Sequence, residues 1–215
     1  MTGKPRIPRT RAAPPEHDAL RGAHDSGHNA PPVQYADKAS ARAALMALRR
    51  GVNPDRKRAW DERIGQRLLD LQARRALAEL AVFWPLAGEP DLQPAYAQLA
   101  AQGVRLYLPV VLARDAALGF SAWTPGEAMH KDRMGIAVPE TLRLGARPGA
   151  LLLPCLGFNE EKFRLGYGGG FYDRTLAGAP APLAIGVAYE CTRAAFAGEG
   201  HDVALDVILT ERATW

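Results

Sequence analysis

The chain has 215 residues, 47% of them hydrophobic, enough for one sizeable domain with a real core. Its net charge of +4 suits an anionic small substrate as well as nucleic acid and selects neither. No apolar run reaches membrane-spanning length, no apolar leader opens the chain, and the two cysteines, Cys155 and Cys191, make no disulfide framework, so membrane and disulfide-rich secreted classes are excluded and a reducing cytoplasm is expected.

Residues 1–34 carry prolines at 5, 8, 14, 15, 31 and 32 and five Lys/Arg against three acids. With so few large apolar residues, this stretch reads as a disordered tail. His17, His24 and His28 lie in it, and solvation suits them better than metal binding without a scaffold. Its arginines resemble those of an organellar transit peptide, but Glu16, Asp18 and Asp25 count against one. A single domain over 35–215 is expected to follow.

Asp37 to Arg50 reads as a helix with Leu45, Met46 and Leu48 on its apolar side. Lys38 and Arg42 are four apart and share a helical face, which by spacing alone is a solvated basic stripe. Gly51 ends this helix. Asn53 as N-cap and Pro54 at the first helical position start the next, with Trp60, Ile64, Leu68 and Leu71 facing the core. Leu80 to Pro85 reads as a buried strand. It runs into a loop, 86–91, at a strand's carboxyl end, where open α/β sheets bind ligands. Glu89 lies there, open to either a substrate contact or plain exposure. Asp91 is expected to cap a helix carrying Leu92, Ala95, Tyr96 and Leu99, closed by Gly103. Strands are expected at 104–109 and 120–123, then an irregular stretch over 125–148. A buried strand at 150–153 precedes a glycine loop and a helix of about two turns. A strand at 183–188, a helix over 190–200 and a last strand over 202–210 complete the order. Strands alternating with helices predict an α/β fold: an open, mostly parallel sheet flanked by helices on both faces, three layers in all.

The glycine loop is the densest signal. Gly166, Gly168, Gly169 and Gly170 fall within five positions, so backbone N–H groups can crowd towards one point. N–H groups curled this way nest anionic oxygens. Arg164 and Arg174 flank the loop with positive charge suited to phosphate, and Asp173 offers an oxygen ligand beside it. No Gly-Lys-Ser/Thr follows, so this is not a Walker A loop. Phe171 stands where the dinucleotide fingerprint needs its third glycine. A tight surface turn is the competing account. Nucleophilic alternatives are poor. Cys155 follows a strand with no histidine near it in sequence, and reads as a small buried hydrophobe. There is no Gly-x-Ser-x-Gly elbow, no Cys-x-x-Cys and, outside the tail, where His130 and His201 are the two histidines, no His-x-x-x-His pair. Anion binding plus carboxylates remains, a pattern that fits phosphoryl chemistry.

The string Arg164-Leu165-Gly166-Tyr167-Gly168-Gly169-Gly170-Phe171-Tyr172-Asp173-Arg174, preceded by Pro154-Cys155-Leu156-Gly157-Phe158, resembles the signature of the 5-formyltetrahydrofolate cyclo-ligases, also called 5,10-methenyltetrahydrofolate synthetases. Secondary matches at 86–92, 106–109, 135–139 and 201–211 follow in the family's order. The resemblance implies ATP- and Mg²⁺-dependent cyclisation of 5-formyltetrahydrofolate, free or polyglutamylated, to 5,10-methenyltetrahydrofolate. It implies Lys38 and Arg42 as ATP contacts, against the solvated-stripe reading, and Arg164 to Tyr172 as the triphosphate loop. Arg164, Tyr167 and Asp173 would be catalytic. Asp173 and Asp202 match the magnesium carboxylates, a choice between Asp202 and Asp206 that the residues alone do not make. Phe83, Trp84 and Glu89 fall at the folate wall, and Tyr167 to Phe171 would touch both ligands. A cytoplasmic monomer with neither nucleic acid nor membrane as partner is expected. Asn159, Lys162, Met134 and Phe171 depart from the family's usual residues without removing a triphosphate or metal group. Two rivals stay open: another small-molecule kinase or ligase on this scaffold, and a non-enzymatic nucleic-acid binder using the basic tail.

Overall fold

The structure is a computed structural model that describes residues 33–215. The expected tail and its three histidines therefore lie outside the described residues, except for Val33 and Gln34. These two form β1 (Val33–Gln34), which pairs in parallel with β12 (Ala194–Ala195).

Helix α1 (Lys38–Arg50) starts at Asp37, whose carboxylate accepts from the Ser40 N–H while the Ser40 hydroxyl faces back, a reciprocal capping box. Its buried stripe is Ala41, Leu45 and Arg49, and Leu48 is exposed instead of facing the core. Helix α2 (Pro54–Arg75) starts as expected, with the Asn53 side chain accepting from the N–H groups of Asp55 and Arg56. Strand β2 (Glu79–Ala81) is shorter than expected. The ladder ends with the Val82 N–H donating to the Tyr107 carbonyl at 2.8 Å, and Pro85 has no N–H to extend it. Helix α3 (Gln93–Ala101) has Leu92 at its N-cap. Asp91 is one position outside and accepts from the Gln93 N–H.

Strands β3 (Arg105–Val110) and β4 (Gly119–Trp123) form an antiparallel pair. The stretch expected to be irregular contains a hairpin, β5 (Met129–Lys131) with β6 (Ala137–Pro139), and then β7 (Leu144–Gly145). The hairpin turns because Asp132 Oδ1 accepts from the N–H groups of Met134 and Ile136, with Gly135 at φ +77°. Strand β8 (Ala150–Pro154) does not lead straight to the glycine loop, since the hairpin of β9 (Gly157–Phe158) and β10 (Arg164–Leu165) intervenes. Helix α4 (Phe171–Leu176) and strand β11 (Leu183–Val187) follow.

The expected helix over 190–200 shrinks to one 3-10 turn, Glu190–Thr192. Gly198 works against a helix there, and the Phe163 ring lies within 2.6 Å of where its Cβ would be. The last strand, β13 (Val207–Leu209), is also short. Its acidic start serves other ends: Asp206 Oδ2 accepts from the Ala184 N–H, and Asp202 closes a turn by accepting from the Glu199 N–H.

The seven-stranded sheet runs β13-β11-β8-β2-β3-β4-β7, parallel from β13 to β3 and antiparallel beyond it. Alternate strand residues face opposite sides, and two cores result. Leu80, Leu106, Leu152 and Ile185 pack against Ile64, Leu68, Tyr96 and Leu99 of α2 and α3. Ala81, Leu151, Leu153 and Ile208 pack with Leu176 of α4 on the other face. This is the expected open α/β sheet with helices on both sides. No helix among the described residues is long and apolar enough to cross a membrane.

Candidate active site

The chain lays β3 on one side of β2 and then returns to lay β8 on the other. Loops leaving the carboxyl ends of β2 and β8 therefore diverge and leave a crevice, the topological switch point of an open α/β sheet. A cavity of about 750 Å³ opens there. Of the residues expected at the site, all but Arg174 line it. From the β2 loop come Phe83, Trp84 and Glu89. Arg164 to Asp173 come from the glycine loop and α4, Lys38 and Arg42 from α1, and Asp202 from the turn before β13.

Gly168 and Gly170 hold φ values of +92° and +64°, conformations that side-chain-bearing residues rarely adopt. The loop so formed ends on α4, with Gly170 as N-cap and no side chain capping the free N–H groups. Asp173 is thus not a helix cap. Its Oδ2 accepts from Arg164 Nη2 at 2.9 Å, and both side chains are largely buried. Arg174, expected to face phosphate, is turned to the loop's own backbone and donates to the Gly169 carbonyl at 2.7 Å.

Helix α1 lies along the loop and places its cations in order. Lys38 Nζ sits 2.8 Å from Asp202 Oδ2 and 2.9 Å from Glu199 Oε1. Arg42 Nε donates to the Gly166 carbonyl at 2.8 Å. Neither residue is a solvated stripe. Burial pushes the Asp202 pKa up, but the Lys38 ammonium and the Glu199 N–H outweigh it and hold the carboxyl below its ordinary value. Burial likewise opposes the Lys38 charge, and the two carboxylates more than offset it, so its pKa is raised.

Among the described residues no group of three or more His, Cys, Asp or Glu is gathered to hold a metal by itself. Asp173 and Asp202 share the cavity, each against one cation. Such a donor set suits an ion that takes one or two carboxylates and completes its shell with water and phosphate oxygens, as Mg²⁺ does. Asp206, the alternative to Asp202, is not on the cavity; it is spent on the Ala184 N–H.

On the opposite wall Phe83 is buried, and Trp84 rests edge-on against Trp123 with ring centroids 6.1 Å apart. Glu89 is only 2% exposed, so the alternative of a plainly exposed loop carboxylate does not hold. Its Oε2 accepts from the Leu86 N–H at 2.9 Å and its Oε1 from the Tyr167 hydroxyl at 2.6 Å. Arg49 Nη2 donates to the same hydroxyl at 2.7 Å. Burial, then the charge of Glu89, pushes the Tyr167 phenol up to about 12. Sequence reasoning missed Arg49. The signal was its position seven residues after Arg42, two turns along the same helical face.

Cys155 is buried, and burial pushes its thiol up to about 11, which makes it inert. Of the unusual residues, Asn159 is buried and bridges the Phe163 N–H and the Phe196 carbonyl. Lys162 occupies a left-handed turn at φ +63°. Met134 sits exposed at the cavity's rim, and the Phe171 ring lies under the Arg174 guanidinium.

The pattern of the 5-formyltetrahydrofolate cyclo-ligase family matches residues 34–211. A 5-formyltetrahydrofolate cyclo-ligase of Escherichia coli (strain K12) is 31% identical over 180 residues, spanning 80% of this chain and 98% of that protein. One from Mycolicibacterium smegmatis is 30% identical over 189 residues, spanning 81% and 94%. The solved structure of Aquifex aeolicus 5,10-methenyltetrahydrofolate synthetase shares the fold, with a TM-score of 0.72 at 24% identity over 82% of this chain and 91% of that one.

Proposed function

This chain belongs to the 5-formyltetrahydrofolate cyclo-ligase family, and from that premise we propose that its cavity closes 5-formyltetrahydrofolate to 5,10-methenyltetrahydrofolate at the expense of ATP and with Mg²⁺. The cyclo-ligase activity itself follows from the family. The assignment of residues to steps rests on one observation. The glycine loop, the α1 cations and the Phe83–Trp84–Glu89 wall all open on a single cavity.

The formyl oxygen on N5 is a poor leaving group. Attack by that oxygen on the γ-phosphorus of ATP makes a phosphate ester of it and releases ADP. N10 then adds to the formyl carbon and loses its proton, and the C–O bond breaks to release phosphate. No covalent enzyme intermediate is needed, in keeping with a cavity whose nearest thiol, Cys155, is inert. The loop N–H groups of 166–170, with Lys38, Arg42 and Arg164, bind and orient the triphosphate. Phe83 and Trp84 supply the apolar wall for the folate, and Glu89 accepts from its N–H groups. Asp173 and Asp202 would hold Mg²⁺, which neutralises charge on the transferring phosphoryl group.

The test is direct. The protein is incubated with 5-formyltetrahydrofolate, ATP and Mg²⁺, and methenyl-folate absorbance is followed. Absorbance should appear only with all three. ADP release without it would favour a kinase, and formation undiminished in EDTA would remove the metal.

A further inference from the structure

Arg49 sits in the last turn of α1 with its side chain only 4% exposed. A buried guanidinium is costly unless its charge is answered. Two of its nitrogens, Nε and Nη1, are buried and make no hydrogen bond among the described residues. Only Nη2 is used, and it goes to the Tyr167 hydroxyl. Nη1 stands 4.0 Å from Glu89 Oε1, close enough for charge attraction but too far for a good hydrogen bond.

The polarity of this chain of contacts is set by chemistry. A guanidinium only donates, so the Tyr167 oxygen must accept from Arg49. The single phenolic proton is then left for Glu89, at 2.6 Å. A phenol pushed up to about 12 keeps that proton at neutral pH. With the Leu86 N–H on its other oxygen, Glu89 is fixed at both ends. Tyr167 is also a residue of the glycine loop, whose preceding carbonyl is held by Arg42 from the same helix.

We infer that Arg49 is a positioning residue: through the Tyr167 hydroxyl it fixes the plane of the Glu89 carboxylate and ties the phosphate loop to the folate wall. This rests on Glu89 facing the folate, as proposed above. A carboxylate meeting paired N–H donors of a fused heterocycle needs a set plane to accept both. Arg49 supplies that plane without touching the substrate. A purely structural arginine, complementing the helix C-terminus, would have no such dependence on Tyr167.

The experiment is a double-mutant cycle on Arg49→Met and Tyr167→Phe, with KM and kcat for both substrates and 5-formyltetrahydrofolate binding followed by tryptophan fluorescence. Removing a charge-assisted hydrogen bond should raise the folate KM and Kd about tenfold. The ATP KM of Arg49→Met should stay within about twofold. The double variant should be no worse than the weaker-binding single, because both break one relay. Arg49→Lys, which keeps the charge, should recover part of the loss. Additive effects, an unchanged folate KM, or equal losses for both substrates would overturn the inference. If Arg49→Met does not fold, the cycle is run from Arg49→Lys, for which a smaller rise in folate KM that vanishes in the Tyr167→Phe background is expected, and a rise that persists there overturns the inference. A wild-type protein that binds 5-formyltetrahydrofolate but forms no methenyl-folate refutes the proposed function instead, and the binding cycle still judges Arg49.

Discussion

Asp173→Asn separates the chemistry of the loop from its packing. The substitution keeps the size of the side chain and removes its charge. Asp173 lies 2.9 Å from Arg164, and side-chain exposures are 17% and 7%. Breaking a buried ion pair by removing one partner costs about 3–5 kcal/mol at the extreme. Here the asparagine oxygen can still accept from Arg164 Nη2, and solvent reaches the carboxylate. We therefore expect a loss of about 1–2 kcal/mol, or a Tm lower by about 2–8 °C for a domain of this size. The kinetic loss should be larger in kind. Charge neutralisation at a transferring phosphoryl group is worth several kcal/mol, so kcat should fall about 100-fold or more. Two physical causes could lower kcat: loss of a metal carboxylate, or release of Arg164 from its place. Titrating Mg²⁺ distinguishes them. Loss of a ligand raises the Mg²⁺ concentration for half-maximal rate. Release of Arg164 does not, and Arg164→Met should then reproduce the defect. A variant with lowered Tm, unchanged kcat and an unchanged Mg²⁺ requirement would refute both roles.

Asp206→Asn should be mild, because Asp206 serves the Ala184 N–H and not the cavity; a shifted Mg²⁺ requirement in this variant would move the second carboxylate from Asp202 to Asp206. Lys162→Gly relieves a left-handed residue at φ +63° and should stabilise by about 1 kcal/mol, read as a higher urea midpoint at constant m-value. Cys155→Ala should keep kcat within about twofold, since burial holds the thiol near 11 and no step uses it. A collapse of kcat in a folded Cys155→Ala protein would contradict the phosphoryl mechanism.

Much of this protein is legible along the chain because its signals are local. The Asn53-Pro54 start of α2, the apolar runs of β3 and β8 and the glycine string each depend on residues within a few positions of one another. Backbone conformation there follows from caps, side-chain period and the absence of Cβ atoms. Where the reading failed, distant partners had displaced local preference. The stretch over 190–200 keeps only the 3-10 turn Glu190–Thr192, because Ala194 and Ala195 are taken up in pairing with Val33 and Gln34. Asp202 to Asp206 form no strand because their carboxylates serve Lys38, a turn and the Ala184 N–H.

The site divides the same way. The loop and the presence of Asp173 beside it could be argued from residues alone. The choice of Asp202 over Asp206 could not, because it depends on where the loop before β13 folds: Asp202 turns back towards Lys38 on the cavity, while Asp206 reaches the Ala184 N–H. Arg49 carried only a faint signal, its place on the helical face of Arg42. It looks like one more cation at a helix end, and its meaning appears only when Tyr167 and Glu89 are brought to it from 118 residues away and across the sheet's switch point. Periodicity and turn chemistry are properties of neighbours in sequence, so the sequence alone sets those elements that no distant partner overrides. The direction of a proton between three side chains on separate elements is a property of the assembled cavity, so only the tertiary structure decides it.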